Sequence, residues 1–107
     1  MFTLIRGGDL WTPEPRGRRD VLTAADRILG VAERIDPPSG FPVRTVDAAG
    51  RYVVPGFVDL HVHLLGGGGE AGFRTRTPEI TFSAVVQAGV TTLVGCLGTD
   101  NVTRRPE

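Results

Sequence analysis

The chain has 107 residues and no lysine, since all twelve of its basic residues are arginine. A phosphate-binding loop of the Walker type needs a lysine followed by serine or threonine, so nucleotide binding of that kind is disfavoured. Twelve acidic residues balance the arginines, and the net charge of zero gives no overall field that would attract nucleic acid or an anionic membrane surface. We therefore expect neither nucleic acid nor a membrane among its partners.

Cysteine and long apolar runs are also scarce. Cys96 is the only cysteine, so no internal disulfide can form, and its apolar neighbours favour a small buried side chain over a reactive thiol. The N-terminus reaches Arg6 and two glycines after a few apolar residues, which leaves no stretch long enough for a signal peptide or a membrane span. With 40% apolar and 22% charged residues, the composition is that of an ordinary soluble domain, and we expect a cytoplasmic protein.

The first half of the chain has short β-rich runs separated by turn residues. A strand is predicted at residues 2–6, and the proline- and arginine-rich stretch 12–19 is predicted to be a solvated loop rather than a nucleic-acid patch. A β-hairpin is predicted over 20–32 and a proline-containing loop over 36–40. A further short β pair is predicted within 45–54, on either side of a glycine turn. Residues 1–54 are thus predicted to form part of a small β domain.

The second half, residues 55–107, alternates strand and helix patterns. Residues 57–63 are predicted to form a strand, and Thr77 followed by Pro78 predicts a helix N-terminus, with the helix ending near Ala88. A β-branched, almost continuously apolar run at 90–97 is typical of a parallel strand covered on both faces. The order strand, helix, strand predicts a βαβ unit and an α/β fold class.

Two histidines lie at the end of the first of these strands. Because side chains two apart share a face of a strand, His61 and His63 point the same way and their imidazoles can converge on one ion. Asp59 shares this face in a regular strand, as a further ligand or as a group that orients one. The bare pattern is weak evidence, and surface or hydrogen-bonded histidines are the alternative. Their position before a glycine loop favours a metal site, because active sites of βα barrels lie at the ends of strands.

Four consecutive glycines and a glutamate, residues 66–70, follow the histidines. Glycine permits positive φ and close approach of the backbone to a ligand, at an entropic cost that a purely structural loop would seldom carry. The loop is interpreted as part of a binding pocket, with a flexible linker as the alternative.

The segment from Pro55 to His63 resembles the opening strand of the amidohydrolase superfamily. The longer string over residues 61–72, with Thr-Arg-Thr-Pro-Glu at 75–79, resembles the bacterial isoaspartyl dipeptidases, and the resemblance continues through Gly98-Thr99-Asp100 and Arg105-Pro106-Glu107. It implies the start of a (β/α)8 TIM barrel preceded by part of a small β-rich domain. It also implies a homo-oligomer in the full-length form.

The same resemblance assigns roles to individual residues. His61 and His63 would ligate the more buried of two Zn²⁺ ions, while Gly68, Gly69 and Glu70 would line the pocket of a small dipeptide substrate. Glu70 would receive its free α-amino group, and Thr99 would be a further substrate contact. The family bridges its two ions with a carboxylated lysine, which this chain lacks. The chain would therefore supply ligands for one ion only, and none of its residues is assigned a catalytic role.

Three functional hypotheses follow from these residues and from the resemblance. The first is zinc-dependent hydrolysis of the β-aspartyl (isopeptide) bond of dipeptides. The second is another amidohydrolase activity, such as that of a dihydroorotase-like cyclic amide hydrolase, and the third is a non-catalytic truncated remnant. An eight-stranded barrel takes about 250 residues, so the 107 residues alone are expected to be inactive.

Overall fold

The computed structural model describes residues 1–96, and the chain divides into two compact units, Met1–Pro55 and Gly56–Glu107. Within the described residues, no helix has the length and apolar character needed to cross a bilayer.

Unit 1 is a sheet of five strands, and its first strand is the central one. In chain order the strands are β1 (Phe2–Trp11), β2 (Pro15–Ala24), β3 (Arg27–Ala32), β4 (Val43–Asp47) and β5 (Tyr52–Val53). The sheet order is β3-β2-β1-β4, and β5 also pairs with β1 beyond the end of β4. β1 is therefore hydrogen-bonded along both of its edges.

The predicted loop at 12–19 is wrong, because most of that stretch belongs to β2. The long strands β1 and β2 form an antiparallel hairpin in which Gly8 pairs with Arg19 and Asp9 pairs with Arg18. Pairing with a partner strand overrides the low strand preference of this glycine- and arginine-rich sequence. The predicted hairpin over 20–32 is present, with β2 and β3 paired antiparallel.

The predicted β pair within 45–54 is also corrected. The strands β4 and β5 do form, but each pairs with β1 in the parallel direction, as Ile5 with Val46 and Leu10 with Val53 show. The partner of both segments lies about 40 positions earlier in the chain, so a local sequence pattern cannot identify it.

The core of unit 1 contains one buried carboxylate. Leu4, which is fully buried, lies in β1, while Asp20 in β2 is only 3% exposed. Asp20 accepts hydrogen bonds from the backbone N–H groups of Gly7 at 2.8 Å and Ile35 at 3.0 Å, and its Oδ2 lies 3.5 Å from Nε of Arg6. The hydrogen bond from Ile35 contributes most to holding the pKa of Asp20 below its usual value, against the opposing effect of burial. Asp20 thus ties the segment after β3 to the central hairpin.

Unit 2 contains the predicted βαβ unit. The strands β6 (Phe57–Val62) and β7 (Val90–Gly95) pair in parallel, with a single 3₁₀ turn at Phe73–Thr75 and the helix α1 (Phe82–Gln87) between them. The helix packs on β7, and its Val85 side chain is buried.

The predicted start of the helix is wrong. The N-cap is Thr81, whose hydroxyl accepts from the N–H of Ala84 at 3.3 Å, so Thr77 and Pro78 lie ahead of the helix. The predicted stop is close, since the C-cap is Ala88 and Gly89 follows it.

The two strands of unit 2 carry exposed apolar side chains. In the described part of the chain, Phe57 and Val58 in β6 are each 57% exposed and Val94 in β7 is 46% exposed, so β7 is not covered on both faces as its apolar pattern predicted. Two parallel strands and one helix agree with an α/β class, and the eight-stranded barrel stays a prediction.

Candidate metal site and glycine loop

The two histidines lie side by side at the C-terminal end of β6. His61 is in the strand and His63 follows its last residue, and both side chains are exposed. Their ring centroids are 5.1 Å apart with the ring planes at 75°. The rings therefore lie close enough together for both to reach one ion.

His63 is oriented by the backbone that follows β7. Its Nδ1 lies 3.1 Å from the carbonyl oxygen of Cys96, and the N–H of Cys96 donates to the carbonyl of Val62 at 2.8 Å. A protonated Nδ1 donates to this carbonyl and leaves the Nε2 lone pair for a metal, which is the arrangement that metal-binding histidines usually show. Cys96 is half-buried rather than fully buried as predicted, and only its backbone makes these contacts.

Asp59 does not join the histidines as a third ligand. Its Oδ1 accepts from the backbone N–H of His61 at 3.0 Å. Over residues 1–96, no three histidine, cysteine, aspartate or glutamate side chains come together closely enough to hold a metal ion. The pair His61 and His63 fits part of a site for a divalent ion such as Zn²⁺, because imidazole nitrogens suit that ion.

The glycine loop begins directly after His63 and is held by hydrogen bonds. The N–H of Gly66 donates to the carbonyl of His63 at 2.9 Å. One residue later, Gly67 and Thr77 are joined by three contacts: Gly67 N–H to the Thr77 hydroxyl at 2.6 Å, that hydroxyl to the Gly67 carbonyl at 3.1 Å, and Thr77 N–H to the same carbonyl at 2.9 Å. The loop is therefore fixed to the segment that precedes α1.

At two positions of the loop both the backbone conformation and the surroundings require glycine, and Gly69 also has a positive φ, of +104°. Gly66 has φ +85° and Gly68 has φ +67°, in the left-handed region that side chains disfavour. A Cβ on Gly66 would collide with the carbonyl oxygen of Thr77, and one on Gly68 would collide with the carbonyl oxygen of Thr75. The run of glycines thus allows the close approach of two backbone segments.

Three of the four predicted substrate-binding residues lie within the described part of the chain. Gly68 and Gly69 are half-buried and buried, and Glu70 is exposed, all within seven positions of His63. Thr99 lies outside the described residues. Their contact with a substrate stays a prediction.

Two contributors to the site were not predicted from the sequence. Thr77 was interpreted as a helix cap, and Cys96 as a buried side chain with no link to the histidines. The Thr-Arg-Thr-Pro string was part of the family resemblance and so pointed to the segment around Thr77. No local sequence pattern, however, predicts a hydrogen bond between residues ten positions apart. The same holds for the contact between His63 and Cys96, which are 33 positions apart.

Unit 1 has a groove that is lined by residues of that unit. Its volume is about 440 Å³, and Arg6, Arg18, Asp20 and Glu33 are among its lining residues. Both carboxylate oxygens of Asp20 already accept hydrogen bonds from backbone N–H groups. The charged residue in the groove that is most deeply buried therefore has a structural role.

Residues 44–101 match the sequence model of the amidohydrolase family. The matched segment includes β6, both histidines and the glycine loop. The chain belongs to the amidohydrolase family. Members of this superfamily are typically metal-dependent, which agrees with the chemistry of the paired imidazoles.

Several solved structures and curated proteins resemble this amidohydrolase chain. A β-aspartyl dipeptidase from Fervidobacterium islandicum AW-1, in complex with the dipeptide β-Asp-Leu, is 42% identical with a TM-score of 0.86, over 99% of this chain and 28% of that one. A dihydroorotase from Staphylococcus aureus (strain MRSA252) is 36% identical over 84% of this chain and 20% of its own length. A D-hydantoinase from Thermus sp. has a TM-score of 0.66 at 28% identity, over 85% of this chain and 19% of that one. The chain thus spans about a fifth to under a third of the length of these proteins.

Proposed function

We propose that the protein containing these 107 residues hydrolyses the β-aspartyl bond of dipeptides with Zn²⁺ that is held in part by His61 and His63. The observation that carries the proposal is the extent of the likeness to the β-aspartyl dipeptidase. It covers 99% of this chain at 42% identity, against 84% at 36% for the dihydroorotase. The matched region includes the glycine loop, which is the part of the sequence that points to a dipeptide substrate.

The residues of this chain would act by binding and orienting. The exposed carboxylate of Glu70 suits the protonated α-amino group of a β-aspartyl dipeptide, because a charged acceptor and a charged donor make a strong hydrogen bond. Gly68 and Gly69 have no side chains to keep a substrate from the loop backbone. His61 and His63 would hold the ion, with His63 oriented by the Cys96 carbonyl.

When bound, the metal would supply polarisation of the substrate carbonyl and activation of water. The groups that complete such a site in the family include a carboxylated lysine, two more histidines and a proton-transferring aspartate. This chain has no lysine and only two histidines. We therefore expect no turnover of β-Asp-Leu by the 107 residues alone.

The test uses the protein expressed from the complete reading frame that contains this sequence. With Zn²⁺ present, we expect hydrolysis of β-Asp-Leu and no turnover of L-dihydroorotate. Replacement of Glu70 by glutamine keeps the size of the side chain and removes its charge. It should raise KM for β-Asp-Leu at least about tenfold, since hydrogen bonds to charged groups contribute about 1.5–3 kcal/mol.

A cyclic amide hydrolase is the second candidate, and the likeness to dihydroorotases favours it. A cyclic amide such as dihydroorotate has no free α-amino group for Glu70 to bind. Turnover of L-dihydroorotate that is insensitive to Glu70→Gln would therefore support this candidate and overturn the first. Absence of both activities and of bound zinc would favour a non-catalytic remnant.

A further inference from the structure

Thr77 makes more contacts with the glycine loop than its position ahead of a helix requires. Its hydroxyl accepts from the N–H of Gly67 at 2.6 Å and donates to the carbonyl of the same residue at 3.1 Å. Its own N–H donates to that carbonyl at 2.9 Å. One threonine therefore satisfies both backbone groups of one glycine.

One further hydrogen bond joins the segment of Thr77 to that of Gly67, and one ion pair lies within the segment of Thr77. The N–H of Ile80 donates to the carbonyl of Leu64 at 3.1 Å, so the two segments are joined on the other side of the glycine as well. Arg76, next to Thr77, forms an ion pair with Glu79 at 2.8 Å, and its side chain is only 28% exposed. These contacts hold the segment ahead of α1 in the conformation that Thr77 needs.

The tight approach depends on the residues on either side of Gly67. Side chains at Gly66 or Gly68 would meet the carbonyl oxygens of Thr77 and Thr75. The contact thus combines a hydroxyl on one segment with an unobstructed backbone on the other. Thr77 itself is exposed, so its contribution does not come from filling a core.

The contact between Thr77 and Gly67 holds the chain at a residue that lies between His63 and Glu70 in the sequence. The carbonyl of His63 accepts from Gly66, and Gly67 is the next residue, so the contact fixes the chain between the metal-binding histidine and Glu70. We propose that Thr77 is a positioning residue. The hydrogen bonds of its hydroxyl to Gly67, which we call the latch, set the positions of Gly68, Gly69 and Glu70 relative to His61 and His63. The inference rests on the proposed function for its effect on substrate, while the latch itself does not.

The experiment compares three variants of the protein from the complete reading frame. Thr77→Val removes the hydroxyl and keeps the side-chain shape, and Thr77→Ser keeps the hydroxyl. Thr75→Val is the matched control, because it removes a hydroxyl of the same segment that donates to the Gly72 carbonyl at 2.9 Å instead of binding Gly67. Zinc content is measured for every variant and should not change.

The first measurement is amide hydrogen exchange in peptides that cover residues 64–70. We expect Thr77→Val to speed exchange about tenfold, the effect of one lost hydrogen bond of typical strength, while Thr77→Ser and Thr75→Val stay within about twofold of the parent protein. Unchanged exchange in Thr77→Val, or an equal increase in Thr75→Val, overturns the latch.

The second measurement is the hydrolysis of β-Asp-Leu. We expect Thr77→Val to raise KM about tenfold with kcat changed less than about threefold, and Thr77→Ser to restore KM, because the loop is assigned to substrate binding. Faster exchange with an unchanged KM overturns the positioning role. If the parent protein does not hydrolyse β-Asp-Leu, the proposed function has failed, and the exchange measurement still decides whether Thr77 is the latch.

Discussion

Nδ1 of His63 lies 3.1 Å from the backbone carbonyl oxygen of Cys96, which is 33 positions away in the sequence. The acceptor is a peptide group, so the orientation of the imidazole depends on the pairing of β6 with β7 and not on which side chain stands at position 96. The fold itself thereby orients His63 so that its other nitrogen could bind the proposed Zn²⁺.

The two histidines should determine the zinc affinity of the site. We expect His61→Asn or His63→Asn to weaken zinc binding by more than about 100-fold, since loss of a group that only orients a ligand already costs about 10–100-fold. Titration of the complete protein with Zn²⁺ against a competing chelator measures the change. The control is Asp59→Asn, which keeps an oxygen to accept from the N–H of His61 and should weaken binding less than about tenfold. A loss in Asp59→Asn as large as in the histidine variants would make Asp59 a ligand.

Asp20 should stabilise unit 1 although it is buried and charged. Asp20→Ala leaves the N–H groups of Gly7 and Ile35 without their acceptor, and we expect it to lower the free energy of unfolding by about 2–4 kcal/mol. Urea denaturation followed by circular dichroism measures the loss. Asp26→Ala is the control, because Asp26 is 80% exposed in its ion pair with Arg27 and should change stability by less than about 0.5 kcal/mol. Equal effects of the two substitutions would contradict the assigned role.

The stability of unit 1 should decrease in acid because of the same carboxylate. The pKa of Asp20 is lowered in the folded state, first by the hydrogen bond from Ile35. A lowered folded-state pKa stabilises the fold above the unfolded-state value of about 3.9, and this contribution is lost as pH falls through the lower folded-state value. Unfolding free energies measured from about pH 6 downwards should therefore decrease more steeply for the parent chain than for Asp20→Asn. Parallel curves would show that another group controls the acid response.

Because the backbone approaches closely at Gly66, substitution there should cost more stability than substitution of another glycine with a similar φ. Gly40 has φ +82° with open space around it, whereas Gly66 has φ +85° and faces the Thr77 carbonyl. We expect Gly40→Ala to cost about 1–2 kcal/mol through its backbone conformation alone, and Gly66→Ala to cost a further 1–3 kcal/mol, roughly, through crowding. Urea denaturation of both variants gives the comparison. If Gly66→Ala costs no more than Gly40→Ala, the two segments are not held together as tightly as described.

Local patterns predicted the parts of the fold whose partners are close in sequence or whose spacing is regular. The hairpin over 20–32, the parallel strands of unit 2 and the shared face of His61 and His63 belong to this class. The start of α1 was mispredicted because Thr77 and Pro78 have the residue types of a helix N-terminus, while the Thr77 hydroxyl is engaged by Gly67. No periodicity reports a contact of that kind.

The errors in unit 1 have the same origin. The arginine-rich stretch 12–19 has few strand-forming residues, and it is extended because β1 supplies its hydrogen bonds. The segments β4 and β5 were correctly read as strands, but their parallel pairing with β1 is a long-range property. For the site, the residue types predicted imidazole ligands, whereas the role of the Cys96 carbonyl needed the register between β6 and β7.

Because β1 is the central strand, its two edges gain their partner strands at different times during synthesis. β1 leaves the ribosome before its partner strands and gains β2 soon afterwards, but its other edge is completed only when β4 and β5, ending at Val53, have followed. At roughly 5–20 residues per second, that wait lasts several seconds. During this time an open strand edge is available to any neighbouring nascent chain, which is the condition under which strands pair wrongly between molecules.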